Sequence, residues 1–481
     1  MSDTGMTEVS ARTASSRAAP SPSTAVRPSF GRRIGVAVCA LAVLISSPAV
    51  AQRAPVIIRD AEIESLMRDY AEPIFAAAGI GKGSVRIILI GDRSFNAFVT
   101  DGRRMFINVG AIMDSKTPNE IIGVIAHESG HISGRHLVRL REQAANAQIL
   151  AVAGMLLGAG AMVGAAASRD RVGTTGTGMM GAVTGPAEMV RRSMLSYQRS
   201  EEQAADRAAV TYLDKTGQSP RGLLETFRRF HQESMFRTAS LDPYTISHPL
   251  PAERIANLEE LAKKSPHFNV QDPPARIARH EMAKAKLFGF VAGPDEVGRR
   301  YPLRDMSLPA RYARAIVDYR SKRLGAAIEK IDGLLAEQPN NPYFWELKGQ
   351  ALLEFGRAGE AVPALRRAVS LAPGAVPIRV MLGHALVATE RPGFVDEAIR
   401  ELSNATNREP DNPDAFRHLA TAYGIKGNVA MAELSAAQSY FAAGDYRNAA
   451  QQAARAQDRF PKNSGPWLKA EEILTFRPPQ R

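Results

Sequence analysis

Apolar residues recur every three or four positions through IIRDAEIESLMRDYAEPIFAAAGI (57–80), the spacing of an amphipathic helix. The period then shortens. VRIILIGD (85–92) is a short β-rich run, and NAFVTDGRRMFINVGAI (96–112) reads as a strand pair about the turn Asp101-Gly102. Helical spacing resumes at Thr117-Pro118-Asn119-Glu120, where Thr at the N-cap, Pro at the first helical position and Glu at the third form a capping box. That helix carries HESGH (127–131), and a later helical segment reads SYQRSEEQAADRAAVTYL (196–213). Between them, AQILAVAGMLLGAGAMVGAAAS (147–168) is a long apolar run. It is mostly Ala and Gly, and a single crossing would place 196–213 across the membrane from HESGH. A buried or membrane-skimming helical hairpin is therefore preferred to a span.

From about residue 305 the pattern repeats. Pro339 and Pro373 stand 34 residues apart, and Trp345, Gly349, Leu352, Ala361, Leu365 and Ala368 occupy tetratricopeptide positions between them. Pro410 follows after 37 residues, with ERPGF (390–394) supplying a three-residue insertion. Pro461 comes 51 residues later, room for one repeat and one extra helix. Such helix pairs bury their apolar faces only by stacking, so a solenoid is expected over 305–475.

Charge changes the picture little. The net charge of +12 is spread along all 481 residues, with no dense basic run and no recognition motif. Nucleic-acid binding is excluded on that ground, while the positive balance leaves room for peripheral contact with an anionic membrane surface. The N-terminal region matters more. Arg32 and Arg33 precede a short apolar run, and Ala49-Val50-Ala51 precedes Gln52, the pattern of a secretory signal cleaved after Ala51. The single cysteine, Cys39, lies inside that signal, so an exported chain holds no disulfide.

On a helix, His127 and His131 lie one turn apart on one face and can aim two imidazole nitrogens at one ion. Glu128 projects beside them, free to handle a water's proton. A third ligand is needed for a catalytic zinc. Glu202 is the candidate, with Asp206 on the same face to accept the N–H of a ligand histidine, while Glu201 points away with Ala205. By helical reckoning His136 lies about 140° round from His131 and reads as structural.

At these residues the sequence resembles the gluzincin peptidases of family M48. HESGHISGRH (127–136) with EQAADR (202–207) carries the likeness, supported by NAF (96–98), MFINVGAI (105–112) and SHPLPAERI (247–255). The resemblance implies a mainly α chain: a zincin-type α+β metalloprotease domain over 52–275, a linker helix region over 276–304 and the repeat solenoid from 305, behind a disordered N-region and signal over 1–51. It implies one Zn2+ per chain on His127, His131 and Glu202, Glu128 as general base, and Asp206 as a second acid or ligand-orienting group. Arg254 would stabilise the oxyanion, and substrate would add to the strand around Phe106 to Val109. For His248 two jobs stay open, an oxyanion hydrogen bond or the fourth zinc position at rest. The second is preferred, because a protease exported among unfolded chains benefits from a closed default state. The expected function is a periplasmic zinc endopeptidase acting on unfolded or misassembled outer-membrane proteins and their assembly machinery, recruited by the repeats. The alternatives are a repeat-based chaperone or adaptor with a latent protease domain, and an integral membrane protease spanning through 147–168.

Overall fold

Ile57–Ile58 form a strand rather than the start of the first helix, which begins only after Asp60 caps it by accepting from the Ile63 N–H at 2.9 Å. The computed structural model describes residues 56–143, 145, 176–236 and 243–478. The signal segment and the apolar run 147–168 lie outside the described residues. Among the described residues, no helix is long and apolar enough to cross a membrane.

Strand β1 (Ile57–Ile58) pairs antiparallel with β2 (Arg86–Ile90), which runs parallel to β4 (Arg104–Asn108). Strand β3 (Ala97–Val99) closes the sheet antiparallel to β4, giving the order β1-β2-β4-β3. The turn between β3 and β4 holds because Gly102 adopts φ +72° and the Asp101 carboxylate accepts from the N–H groups of Arg103 and Arg104. Strand β4 therefore lies inside the sheet, so the edge expected around Phe106 is corrected: among the described residues the outer strands are β1 and β3. After β4 the chain turns into a short helix, α2 (Val109–Asp114), where the sequence pattern suggested continued strand.

Helices α1 (Ala61–Ala77) and α3 (Pro118–Ser133) join this sheet in one core with α4 (Gly176–Lys215), α5 (Arg221–Phe236) and α7 (Ala252–Lys264). Short α6 (Pro243–Ser247) precedes α7. Thr117 caps α3 by accepting from Glu120 N–H at 3.3 Å, while the Glu120 carboxylate reaches back one residue beyond the cap, to Lys116 N–H.

Helix α8 (Pro274–Val291) fills much of the expected linker region, but it is buried on both sides. Its Ala283, Leu287 and Phe288 join the protease core, and its Met282 joins Tyr312 and Ile316 of the first repeat helix, α10 (Leu308–Arg320), which follows α9 (Pro294–Arg300). Ala310 and Ala313 of α10 pack into the protease core in turn. The two parts thus share apolar contacts across residue 305.

They also share a buried charge. Lys286 Nζ lies 2.8 Å from Asp60, 3.2 Å from Glu346 and 3.5 Å from Glu62, and Tyr312 donates to Glu62 at 3.0 Å. Three carboxylates face one ammonium. Burial, only partly offset by Lys286, pushes the Glu346 carboxyl up from 4.5 to about 7. A raised native pKa means that the folded chain holds a proton the unfolded chain releases. The stability from this group is thus fully present below pH 4.5 and lost as pH rises through about 7. Glu346→Gln is expected to flatten that part of the stability-against-pH curve, measured by urea unfolding from pH 4 to 8.

The repeats continue through α11 (Leu324–Glu337), α12 (Pro342–Glu354), α13 (Ala358–Leu371), α14 (Val376–Ala388) and α15 (Val395–Arg408). The insertion forms a 3-10 turn, Pro392–Phe394. Within two of the pairs a glycine permits close approach: a Cβ on Gly349 would lie 2.4 Å from Leu365 Cγ, and one on Gly383 2.4 Å from Leu402 Cγ. Between Pro410 and Pro461 run α16 (Pro413–Ile425), α17 (Val429–Ala442) and α18 (Tyr446–Gln457), one pair and an extra helix, before α19 (Gly465–Thr475). The solenoid curls back onto the protease domain. Arg59 meets Glu409 at 2.7 Å, and Arg86 meets Asp411 at 2.6 Å.

Candidate metal centre

Helix α3 brings HESGH to α4 because Gly130 allows the two backbones to touch. A Cβ there would lie 2.9 Å from both the Cα and the carbonyl oxygen of Ala205. Ala205 is fully buried against this glycine, which leaves Glu202 and Asp206, on adjoining turns, facing the histidines.

His127 Nε2 and His131 Nε2 stand 3.1 Å apart, and the Glu202 carboxylate lies 3.4 Å from each. His248 brings a fourth ligand-type atom, and all four lie within 4.8 Å of one another. Ligands at zinc distances in a tetrahedron are separated by about 3.4 Å, so the donor set and its spacing fit that ion. Glu128 adjoins the cluster without belonging to it. Its carboxylate is buried, neither oxygen has a hydrogen-bond partner, and its neighbour is His248 Nε2 at 3.4 Å. A buried carboxylate left bare in this way marks a place meant for another polar molecule.

Behind the cluster, Asp206 Oδ1 lies 3.0 Å from His127 Nδ1. Arg254, expected at the oxyanion, is instead engaged with the acidic side chains. Its Nε and Nη2 donate to Asp206 at 2.6 and 2.8 Å, and its Nη1 lies 2.7 Å from Glu202 and 3.0 Å from Pro249 O. The guanidinium is buried and in contact with both carboxylates, not free in the site as the expected oxyanion role suggests. His248 Nδ1 reaches Glu202 Oε1 at 3.0 Å, and its ring packs 4.7 Å from that of Tyr244. Tyr244 is fully buried beside Phe95, Phe227 and Phe230, an aromatic seat for the His248 loop that the sequence pattern does not reveal.

The electrostatics follow from this packing. Burial works against a charged His127, but Asp206 and Glu202 outweigh it and push its pKa up to about 9. Burial, then the charge of His127, drives His131 well below its ordinary value, since two imidazoles so close cannot both be charged. Burial would raise Glu202 and Asp206. His248 and His127 overcome it at Glu202 and Arg254 at Asp206, so both stay below the usual carboxylate range. At Glu128 burial wins over the nearby His248 and His127, and its carboxyl is pushed up.

Sequence reasoning missed His136 and Glu201. His136 Nδ1 lies 3.0 Å from His131 Nδ1, and its Nε2 lies 2.8 Å from Glu201. The helical reckoning failed because α3 ends at Ser133, so His136 is no longer on its cylinder. Of the remaining histidines, His280 is buried between Tyr70 and Ser115, and His384 stacks on His418 at 4.1 Å between successive repeats.

Comparison with known proteins agrees with this geometry. Residues 58–262 match the model of peptidase family M48, and residues 312–376 match a tetratricopeptide repeat. The beta-barrel assembly-enhancing protease of Yersinia pestis is 26% identical over 349 residues, 70% of this chain and 68% of that protein. The beta-barrel assembly-enhancing protease of Escherichia coli is 25% identical over 374 residues, 76% of this chain and 72% of that protein. The chain is a metalloprotease: residues 58–262 match peptidase family M48, and tetratricopeptide repeats follow.

Proposed function

We propose that the chain is a zinc endopeptidase of the periplasm, held closed at rest, that cleaves unfolded or misassembled outer-membrane proteins brought to it by the repeats of 305–475. The observation that carries the catalytic part is the bare, buried Glu128 carboxylate beside three converging ligand atoms. His127, His131 and Glu202 would hold one ion per chain. When bound, zinc supplies Lewis acidity toward a peptide carbonyl and toward water. Asp206 holds His127 through Nδ1, leaving Nε2 turned to the site, and Arg254 fixes both carboxylates. Glu128 takes the proton of the attacking water and hands it to the leaving amine. Among the described residues β3 is an outer strand of the sheet, to which an extended client can pair.

Client class and compartment rest on the relatives' printed names and on the export signal over 1–51. The closed state rests on His248, whose ring stands between Glu128 and Glu202, in the space an attacking water needs. His248→Ala is expected to raise basal cleavage of casein several-fold with zinc content unchanged. A fall of about 10²-fold on every substrate would instead make His248 an oxyanion donor. Metal analysis of the purified chain beside the casein assay tests the whole reading. A metal-free protein without peptidase activity, yet still holding unfolded clients, would turn it into a chaperone.

A further inference from the structure

The two candidate ligand histidines are backed differently. Behind His127 stands a carboxylate, Asp206, in direct contact. Behind His131 stands another imidazole, that of His136, and only behind that a carboxylate, Glu201. We propose that His136 is a positioning residue for the metal site, a relay that fixes the tautomer and orientation of His131 and ties it to Glu201.

The proton positions follow from ligation. With Nε2 of His131 committed to an ion, its Nδ1 would carry the hydrogen and donate to His136 Nδ1 at 3.0 Å. His136 then carries its own hydrogen on Nε2, which donates to Glu201 at 2.8 Å. Glu201 is anchored in turn by Arg139 Nη2 at 3.1 Å, and the same nitrogen donates to Gly134 O. His136 is 6% exposed, so the relay runs inside the protein. Glu201 precedes Glu202 on α4, so the relay also links the helix end carrying His131 to the helix carrying the third ligand.

The backbone is arranged to make this contact. Helix α3 stops at Ser133, and Arg135 takes φ +54°, a conformation that side chains disfavour. The turn folds His136 back over the helix end, where a Cβ on Gly134 would lie 2.1 Å from His136 Nε2. A glycine and a strained arginine in succession admit the ring where an ordinary helix end would exclude it.

The inference rests on His131 being a ligand, and the test separates the two. In the full-length chain, the measurement is zinc affinity and the rate of zinc release to a chromophoric chelator, with melting of the metal-free protein as a control for folding. His136→Phe, which fills the space without a nitrogen, should weaken zinc binding by about 10- to 100-fold and leave metal-free melting near that of the parent. His136→Gln, whose amide oxygen can still accept from His131, should recover much of the loss. Gly134→Ala, which displaces the ring without altering it, should move zinc release in the same direction as His136→Phe. Parental zinc affinity in His136→Phe, with zinc lost in His131→Ala, would overturn the relay alone. Equal losses in the Phe and Gln variants would also overturn it, making His136 only a packing residue. Zinc retained by His131→Ala would overturn the ligand assignment and the relay with it.

Discussion

Glu128→Gln is expected to lower proteolysis by about 10²- to 10⁴-fold while the metal content stays that of the parent chain. The amide keeps the shape of the carboxylate but cannot take a proton from water. It is not among the four groups that converge on one point, so its loss takes nothing from the ion. Burial already disfavours the charged form of Glu128, and neither of its oxygens has a hydrogen-bond partner. The metal-free variant should therefore melt no lower than the parent, which separates a lost proton carrier from a damaged fold. Metal content, peptidase rate and melting temperature are the three measurements. Metal and activity lost in equal proportion would place Glu128 among the ligands and contradict the assignment.

The second large effect concerns stability. Arg254→Met is expected to cost about 3 to 5 kcal/mol, because it removes a buried guanidinium paired with both Glu202 and Asp206. Arg254→Lys should recover only part of this, since one ammonium cannot reproduce the paired contacts of Nε and Nη2 with Asp206. Added zinc should restore part of the loss by binding the folded state and compensating Glu202. Urea unfolding with and without zinc measures both effects. If the methionine variant is as stable as its parent, the ion pair is not the organising contact of the site.

The sequence carried the helical part of the site well. HESGH and EQAAD lie inside regular helices, where spacing translates into shared faces, and the structure brings His127, His131, Glu202 and Asp206 into one cluster. Legibility ended where regularity ended. His136 lies beyond a helix stop that hinges on Gly134 and Arg135, and Glu201, read as pointing away, serves that histidine instead. Arg254 was identified by type, but what a buried guanidinium faces is a tertiary fact. The repeat register could be read because its prolines and small residues mark every turn of the array. The shared core around α8 could not, because a lysine in a helix reads as a surface residue and Lys286 is a buried one. Strand β1 has two residues and exists only through its partner β2.

The clasp between Arg59 and Glu409 joins positions 350 residues apart. It sets an order of events for a chain that emerges from its N-terminus. The segment around β1 and α1 leaves first, yet Lys286, Tyr312, Glu346 and Glu409 reach it only after most of the polypeptide has appeared. Loop closure of that length is entropically costly and dominated by non-local contacts, so docking of the solenoid belongs to the slow end of folding. Until then Asp60 and Glu62 have no ammonium to face. A nascent molecule thus completes the contacts of β1 and the start of α1 only when the distant repeats arrive.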